Sequence, residues 1–176
     1  MGRSLPPRRC RKADATGVSD IDGAPPECSL RVSSRWSIGL AGIGKTVVAL
    51  RVFGDDLDPA EVTRLLGAEP TAFGRKGDVR ALPSGRDVVS RTGSWRLSVE
   101  DRSPGDLNGQ LLELFSMLTP DLSVWQELRH RYKCDVFCGL FLDGANEGEQ
   151  LEAETLSGLG SRGLALGLDI YDASLA

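Results

Sequence analysis

The sequence has few of the residues on which common kinds of catalytic and metal site depend. Its 176 residues include one histidine, His130, and four cysteines. A single histidine excludes a histidine-rich metal site, and a Ser-His-Asp enzyme would have to use that one residue. No stretch reaches the ~18–20 apolar residues that cross a bilayer, so no membrane span is expected. The 21 glycines follow no Gly-x-y period, which excludes a collagen-like chain.

A secretory signal is also missing from the sequence. Basic residues stand near the start, but no apolar segment of ~7–15 residues follows them, as a secretory or twin-arginine signal requires. The sequence therefore predicts a cytoplasmic protein. In that compartment its cysteines, Cys10, Cys28, Cys134 and Cys138, are expected to be reduced thiols.

Charge is distributed unevenly along the chain. Residues 1–45 hold eight Lys and Arg against four Asp and Glu. Subtraction from the totals of 21 and 25 leaves 13 basic and 21 acidic residues in 46–176. An acidic domain repels phosphate backbones, so we expect it not to bind nucleic acid.

Three segments are distinguished by their residue patterns. Residues 1–46 are basic and rich in Gly and Pro without an apolar period, which predicts a disordered tail. Residues 47–172 are predicted to form a single α+β domain, and 173–176 a short C-terminal tail. Alternating apolar residues predict strands at 47–53, 94–99 and 164–171, and a short strand is expected within 69–80. Residues 136–142 are apolar on both faces, which predicts a central, covered strand. Residues 81–92 are typical of an exposed loop.

Helices are indicated by capping residues and by apolar stripes. Asp58 with Pro59 and Glu61 predicts a helix start, and Gly67 its end. Leucines predict a second helix over about 107–118, and Thr119 is predicted to cap a third that begins at Pro120. Residues 152–161 are expected to form a fourth helix whose inward residues are Leu156 and Leu159.

The predicted element order is β-α-β-β-α-α-β-α-β. Its first six elements resemble a ferredoxin-like split βαβ start, and an extra βαβ unit follows. We therefore expect an α+β fold with a five-stranded sheet and helices mainly on one face. Trp95 and Phe137 occupy apolar strand positions and are assigned to the core.

Six short motifs, spread over much of the domain, resemble a known bacterial family. They are Gly54–Pro59, Glu69–Thr71, Arg75–Asp78, Gly93–Trp95, Asp135–Gly139 and Leu168–Tyr171. In this order and at these spacings the chain, over about residues 47–172, is similar to the family catalogued as domain of unknown function 4279. The resemblance implies a soluble bacterial α+β domain. It implies no activity, since the family has no assigned catalytic residues.

One motif points to a different function. Residues 39–46, GLAGIGKT, fit the P-loop pattern, in which Gly39, Gly44, Lys45 and Thr46 would hold a nucleotide. A P-loop lies between a buried strand and a helix, whereas residues 35–38 are short and half polar, and 47–53 have a strand pattern. We therefore predict a non-enzymatic domain that binds a protein or a small ligand, with P-loop nucleotide binding as the alternative.

Of the remaining polar clusters, one indicates a binding surface and none indicates a metal site. Arg75, Lys76, Arg80 and Arg96 form the one locally basic part of the domain and could face an acidic partner or a small anion. Residues 143–154 partly match a calcium loop but lack an oxygen ligand at the third position. Cys134 and Cys138 would lie about 13 Å apart on a strand, too far to share a zinc ion. No metal or cofactor is therefore predicted, and the sequence leaves the oligomeric state open.

Overall fold

The computed structural model describes residues 42–81 and 85–172. Residues 1–41 of the predicted tail 1–46 and the whole predicted tail 173–176 lie outside the described residues, whereas Ile43 and Thr46, assigned to the first tail, are buried. The strands are β1 (Lys45–Gly54), β2 (Ala72–Gly74), β3 (Val79–Ala81), β4 (Asp87–Val89), β5 (Gly93–Ser98), β6 (Lys133–Phe141) and β7 (Ala165–Tyr171). The helices are α1 (Pro59–Leu66), α2 (Leu107–Ser116), α3 (Leu122–Arg131) and α4 (Ala153–Arg162). The first strand thus begins two residues earlier than its alternation predicts.

Five strands form the main sheet, in the order β2-β5-β1-β6-β7. β1 pairs antiparallel with β5 and β6, β2 pairs antiparallel with β5, and β6 pairs parallel with β7. β1 and β2 therefore run parallel with β5 between them, and β5 and β6 run parallel with β1 between them. The segment from β1 to β2 and the segment from β5 to β6 are therefore both split βαβ arrangements. The predicted α+β class and five-stranded sheet are confirmed.

The helices cover one face of this sheet. On β1 the alternate residues Val48, Leu50 and Val52 are fully buried and belong to the same apolar cluster as residues of all four described helices. α1 packs against β5, α2 against β1, α3 against β6 and α4 against β7. None of these helices combines the length and apolar character that a membrane span requires.

Aromatic and charged residues share the other face of the sheet. Arg51 makes two hydrogen bonds to the Asp135 carboxylate, of 2.7 and 3.1 Å, and its guanidinium lies 4.8 Å from the centre of the Phe137 ring. The rings of Phe141 and Tyr171 stack at 4.6 Å. Phe137 is half-buried here rather than in the core, so its core assignment was wrong: a strand position does not reveal which face the helices cover.

Three local predictions also differ from the structure. Residues 81–92 are not only loop, because β4 pairs with β3 in a separate hairpin. α3 begins at Leu122 and is capped by Asp121, whose carboxylate accepts the Ser123 N–H at 2.9 Å. Thr119 lies before this cap and accepts the Asp121 N–H instead. On α4 the buried neighbour of Leu159 is Thr155, while Leu156 is half exposed.

Candidate functional site

An open cavity of about 280 Å³ lies beside β6 and β7, on the side of the sheet that carries the helices. Its apolar wall consists of Ile43, Leu107, Leu140, Leu142, Leu151, Leu168 and Ile170. Glu147, Gly148 and Glu149 supply the polar part of the lining. A concave apolar site with few polar groups is the usual form of a small-molecule site.

Four separate segments of the chain build the apolar wall. Leu140 and Ile170 are register partners on β6 and β7, so both side chains point to the same face of the sheet. Leu107 is the first residue of α2. Ile43 precedes β1 and is held there because its carbonyl accepts the Gly105 N–H at 2.9 Å. The wall is therefore tied to the core, where Ile43 and Leu107 are both buried.

Asn108 anchors the end of the loop that carries the glutamates. Its amide nitrogen donates to the Gln150 carbonyl at 2.6 Å. Its amide oxygen accepts both the Glu152 N–H and the Thr155 hydroxyl at 2.9 Å. At the start of the loop, both carboxylate oxygens of Glu147 accept the Asp143 N–H at 3.1 Å. These bonds fix the polar side of the cavity at both ends of the loop.

The cavity carries negative charge that no basic side chain in the described part of the chain balances. Within the described residues, neither Glu147 nor Glu149 forms an ion pair. Partial burial raises the pKa of Glu149, and the nearby charge of Asp106 adds to the effect. A carboxylate in this position is stabilised by an approaching cation. The arrangement suits a molecule with an apolar body and one positive group.

The structure gives the described part of the P-loop motif a structural role, while Gly39 lies outside the described residues. Lys45 and Thr46 open β1, and Gly44 directly precedes that strand. The Lys45 ammonium pairs with Asp101 at 2.8 Å. The buried Thr46 hydroxyl donates to the Gln110 side-chain oxygen at 2.6 Å and accepts the Asp106 N–H at 3.0 Å. The motif leads directly into β1 and not into a helix, so it has no helix N-terminus to receive a phosphate.

Millimolar Mg-ATP or Mg-GTP is expected to leave the melting temperature of the protein unchanged. A nucleotide held at 100 times its Kd would add about 2.7 kcal/mol of stability. Lys45 instead offers a surface charge that Asp101 already balances. The measurement is a thermal shift on the wild type and on Lys45→Ala. A shift that disappears in Lys45→Ala would contradict this expectation and establish the P-loop alternative.

The predicted basic surface is partly neutralised by neighbouring carboxylates. Arg75 pairs with Asp58 at 2.6 Å and Lys76 with Asp55 at 2.5 Å. The guanidinium of Arg96 donates to the Ser98 hydroxyl. The side chain of Arg80 lies outside the described residues. Binding of an anion or an acidic partner at this surface stays a prediction.

Cys134 and Cys138 are buried free thiols on the helix-covered face of β6. Burial raises the pKa of Cys134 to about 11 and that of Cys138 to about 12. Only the thiolate is nucleophilic, so both side chains are in an unreactive state near neutral pH. Among residues 42–81 and 85–172, no three His, Cys, Asp or Glu side chains gather as a metal site would require.

These two thiols are expected to resist alkylation until the domain unfolds. The test treats the native protein with iodoacetamide at pH 8 and locates the modified peptides by mass spectrometry. Peptides that contain Cys134 or Cys138 should be labelled only after urea is added. Glutathione added to a parallel reaction reports that the reagent is active. Labelling of Cys138 in the native state would contradict its burial.

The cavity itself was missed by sequence reasoning. Its lining comes from residues far apart in the chain, such as Ile43, Leu107 and Ile170. Residues 143–148 have the pattern of a solvated loop, and nothing local indicates that Glu147 and Glu149 face apolar side chains. The one available signal was the row of apolar residues in 164–170, which is unusual for an exposed edge strand and indicates a surface that binds something.

Comparison with known proteins relates most of the chain to a single family. Residues 44–173 match the family model described as "Domain of unknown function (DUF4279)". Neither the curated proteins nor the solved structures contain a match to the chain. The match covers all the elements of the main sheet and the cavity wall apart from Ile43.

Proposed function

The chain belongs to the DUF4279 family, a domain of unknown function, and from the geometry of its cavity we propose that it binds a small molecule without catalysing a reaction. The observation that carries the proposal is an apolar cavity with two carboxylates that have no basic partner among the described residues. The ligand class is a small organic cation with an apolar body. The exposed His130, at the end of α3, is the only histidine of the chain and lies outside the cavity lining.

The size of the cavity limits the apolar body of the ligand. An apolar protein cavity of about 150 Å³ accepts benzene. The present cavity, at about 280 Å³, is close to twice that volume and lies at the small end of ligand pockets. It suits an alkyl chain of about six carbons or a single substituted ring, and it is too small for a nucleotide or a large cofactor.

Charge determines which head group the site prefers. Glu149 is partly buried, so its interaction with a ligand is less screened than a surface ion pair. An ammonium group would offset the cost of keeping this carboxylate ionised. A carboxylate on the ligand would meet like charge from Glu147 and Glu149. The site therefore favours a cation over a neutral molecule of the same shape, and a neutral molecule over an anion.

Three ligands with the same six-carbon body test the proposal. Hexylammonium, hexanol and hexanoate are titrated into the protein and binding is followed by protein NMR. We expect affinity to fall in that order, with at least about fivefold between the cation and the anion. Chemical-shift changes should centre on Leu140, Leu151 and the loop that carries Glu147 and Glu149.

Two substitutions separate the apolar and the charged parts of the site. Leu151→Ser should weaken all three ligands, because it removes an apolar wall residue. Glu149→Gln should weaken hexylammonium and leave hexanol nearly unchanged. The matched control is Glu154→Gln, an exposed glutamate in the first turn of α4 outside the cavity lining, which should change neither. Failure of all three ligands to saturate, or equal binding of all three, would overturn the proposal.

A further inference from the structure

β7 forms one edge of the main sheet, and its outer side has no partner among the described residues. The Tyr171 carbonyl accepts the Leu142 N–H at 3.0 Å, on the side of β6. Backbone groups of alternate residues in a strand point to opposite edges, so Leu166, Leu168 and Ile170 direct their N–H and C=O groups outward. Each of these groups is free to pair with another strand.

The two edges of the sheet are protected to very different degrees. β2, the other edge, has three residues and is flanked by Pro70, Arg75 and Lys76, which discourage pairing. β7 has seven residues and contains no Pro, Lys or Arg. Leu168 is 50% exposed and Ile170 is 61% exposed. Long, apolar and unprotected edges are rare in proteins that keep the edge free.

We propose that β7 pairs antiparallel with β7 of a second copy of this chain, about a two-fold axis at Leu168. The two five-stranded sheets then join into one of ten strands. This interaction surface goes beyond the proposed ligand site and does not depend on it.

The sequence of β7 is complementary to itself in this register. Leu168 faces Leu168 of the second copy, and Leu166 faces Ile170, all on the helix-covered side of the sheet. On the other side Ala165 faces Tyr171 and Gly167 faces Asp169, so a small residue always meets a large one. Moving the axis to residue 169 would place two Asp169 carboxylates directly opposite each other, which is unfavourable. The axis at Leu168 avoids this.

The backbone supports the same register. When the axis lies at 168, residue 168 pairs with its own copy and residue 166 pairs with residue 170. All three of these residues point their N–H and C=O groups outward. Each such pair exchanges two hydrogen bonds, which gives about six across the interface. One strand pair buries less than the ~1,200–2,000 Å² of a typical stable interface. We therefore expect a reversible dimer whose population rises with protein concentration.

Dimer formation would also change the surroundings of the cavity. Leu168 and Ile170 belong to its lining. In the dimer, Leu166 of the second copy lies opposite Ile170 and extends the apolar wall at that point. The second copy thus adds an apolar residue beside the ligand site of the first.

Sedimentation velocity of the full chain over a range of concentrations tests the pairing, with a matched pair of leucine variants. Leu168→Lys would bring two ammonium groups face to face on the axis. The control is Leu156→Lys, since Leu156 is also 50% exposed but belongs to α4 and not to the edge strand. We expect the wild type and Leu156→Lys to dimerise with rising concentration, and Leu168→Lys to stay monomeric. Circular dichroism confirms that each variant is folded.

Amide hydrogen exchange locates the contact. In the wild type, the amides of Leu166, Leu168 and Ile170 should exchange at least about tenfold more slowly at high than at low concentration. Those of Gly167, Asp169 and Tyr171 face β6 and should not change. A wild type that is monomeric throughout would overturn the proposal, whether or not these amides are protected. So would a dimer that Leu168→Lys does not weaken. None of these outcomes depends on a ligand, so the proposed function is tested separately.

Discussion

Replacement of Trp95 by alanine is expected to lower the free energy of unfolding by about 3–5 kcal/mol. The indole is fully buried between α1 and the sheet. Its N–H donates to the Thr63 hydroxyl at 3.0 Å, so the ring is held at both its apolar body and its polar edge. The substitution removes the largest side chain of β5 and leaves a cavity that the surrounding strands cannot fill.

Urea unfolding measures this loss, and a neighbouring aromatic residue supplies the control. Phe73 on β2 is the register partner of Trp95, but its side chain is 66% exposed. Phe73→Ala should therefore change stability by no more than about 0.5 kcal/mol. The two residues lie opposite each other on neighbouring strands and differ in burial. Equal urea midpoints for Trp95→Ala and the wild type would show that burial of the indole does not stabilise the core.

Elements with local signals could be predicted from the sequence. The residues that begin and end α1 are its own neighbours: Asp58 caps it, Pro59 opens it, and Gly67 ends it with a φ of 74°. The strands at β1 and β5 were indicated by apolar residues at alternate positions, because one sheet face packs on helices. Each of these patterns lies within about ten residues, so no knowledge of the tertiary fold was needed.

Burial at the sheet margins depends on contacts between distant segments, and there prediction from sequence failed. Residues 136–142 are apolar on both faces, so the pattern does not reveal which face the helices cover; Phe137 lies on the uncovered face, whereas Trp95 lies on the covered one. Leu168 and Ile170 alternate like core residues, but their strand forms the edge of the sheet. The β3–β4 hairpin was missed because exposed residues on both faces produce no alternation.

In the candidate site, too, features formed by neighbouring residues could be predicted from the sequence, and features formed by residues far apart in the chain could not. The P-loop motif is a local pattern, and it indicates Lys45 and Thr46 as nucleotide-binding residues. The cavity depends instead on the meeting of Ile43, Glu149 and Ile170, which no spacing along the chain reveals. What the structure adds is a reason for the motif residues themselves: Thr46 joins β1 to α2 through buried hydrogen bonds.

Loss of the buried hydrogen bonds between Thr46 and Gln110 is expected to be the second large effect. Both side chains are fully buried. The Gln110 oxygen accepts from the Thr46 hydroxyl at 2.6 Å, and its nitrogen donates to the Glu100 carbonyl at 2.6 Å. Gln110→Leu keeps the volume but leaves the O–H of Thr46 without an acceptor and the Glu100 carbonyl without this donor. At about 1–3 kcal/mol for each of the two unsatisfied groups, the expected loss is about 2–6 kcal/mol.

A double-mutant cycle decides whether the two side chains act as a pair. Thr46→Val removes the hydroxyl and deprives the Gln110 oxygen and the Asp106 N–H of their partner. In the double variant Thr46→Val with Gln110→Leu, the two apolar groups face each other, so the total loss should fall short of the sum by about 0.5–3 kcal/mol. Lys45→Ala, in an exposed ion pair beside them, should cost no more than about 1 kcal/mol. Additive losses would mean that the Thr46 hydroxyl is not committed to Gln110, and it would then be free for the magnesium role that the P-loop alternative requires.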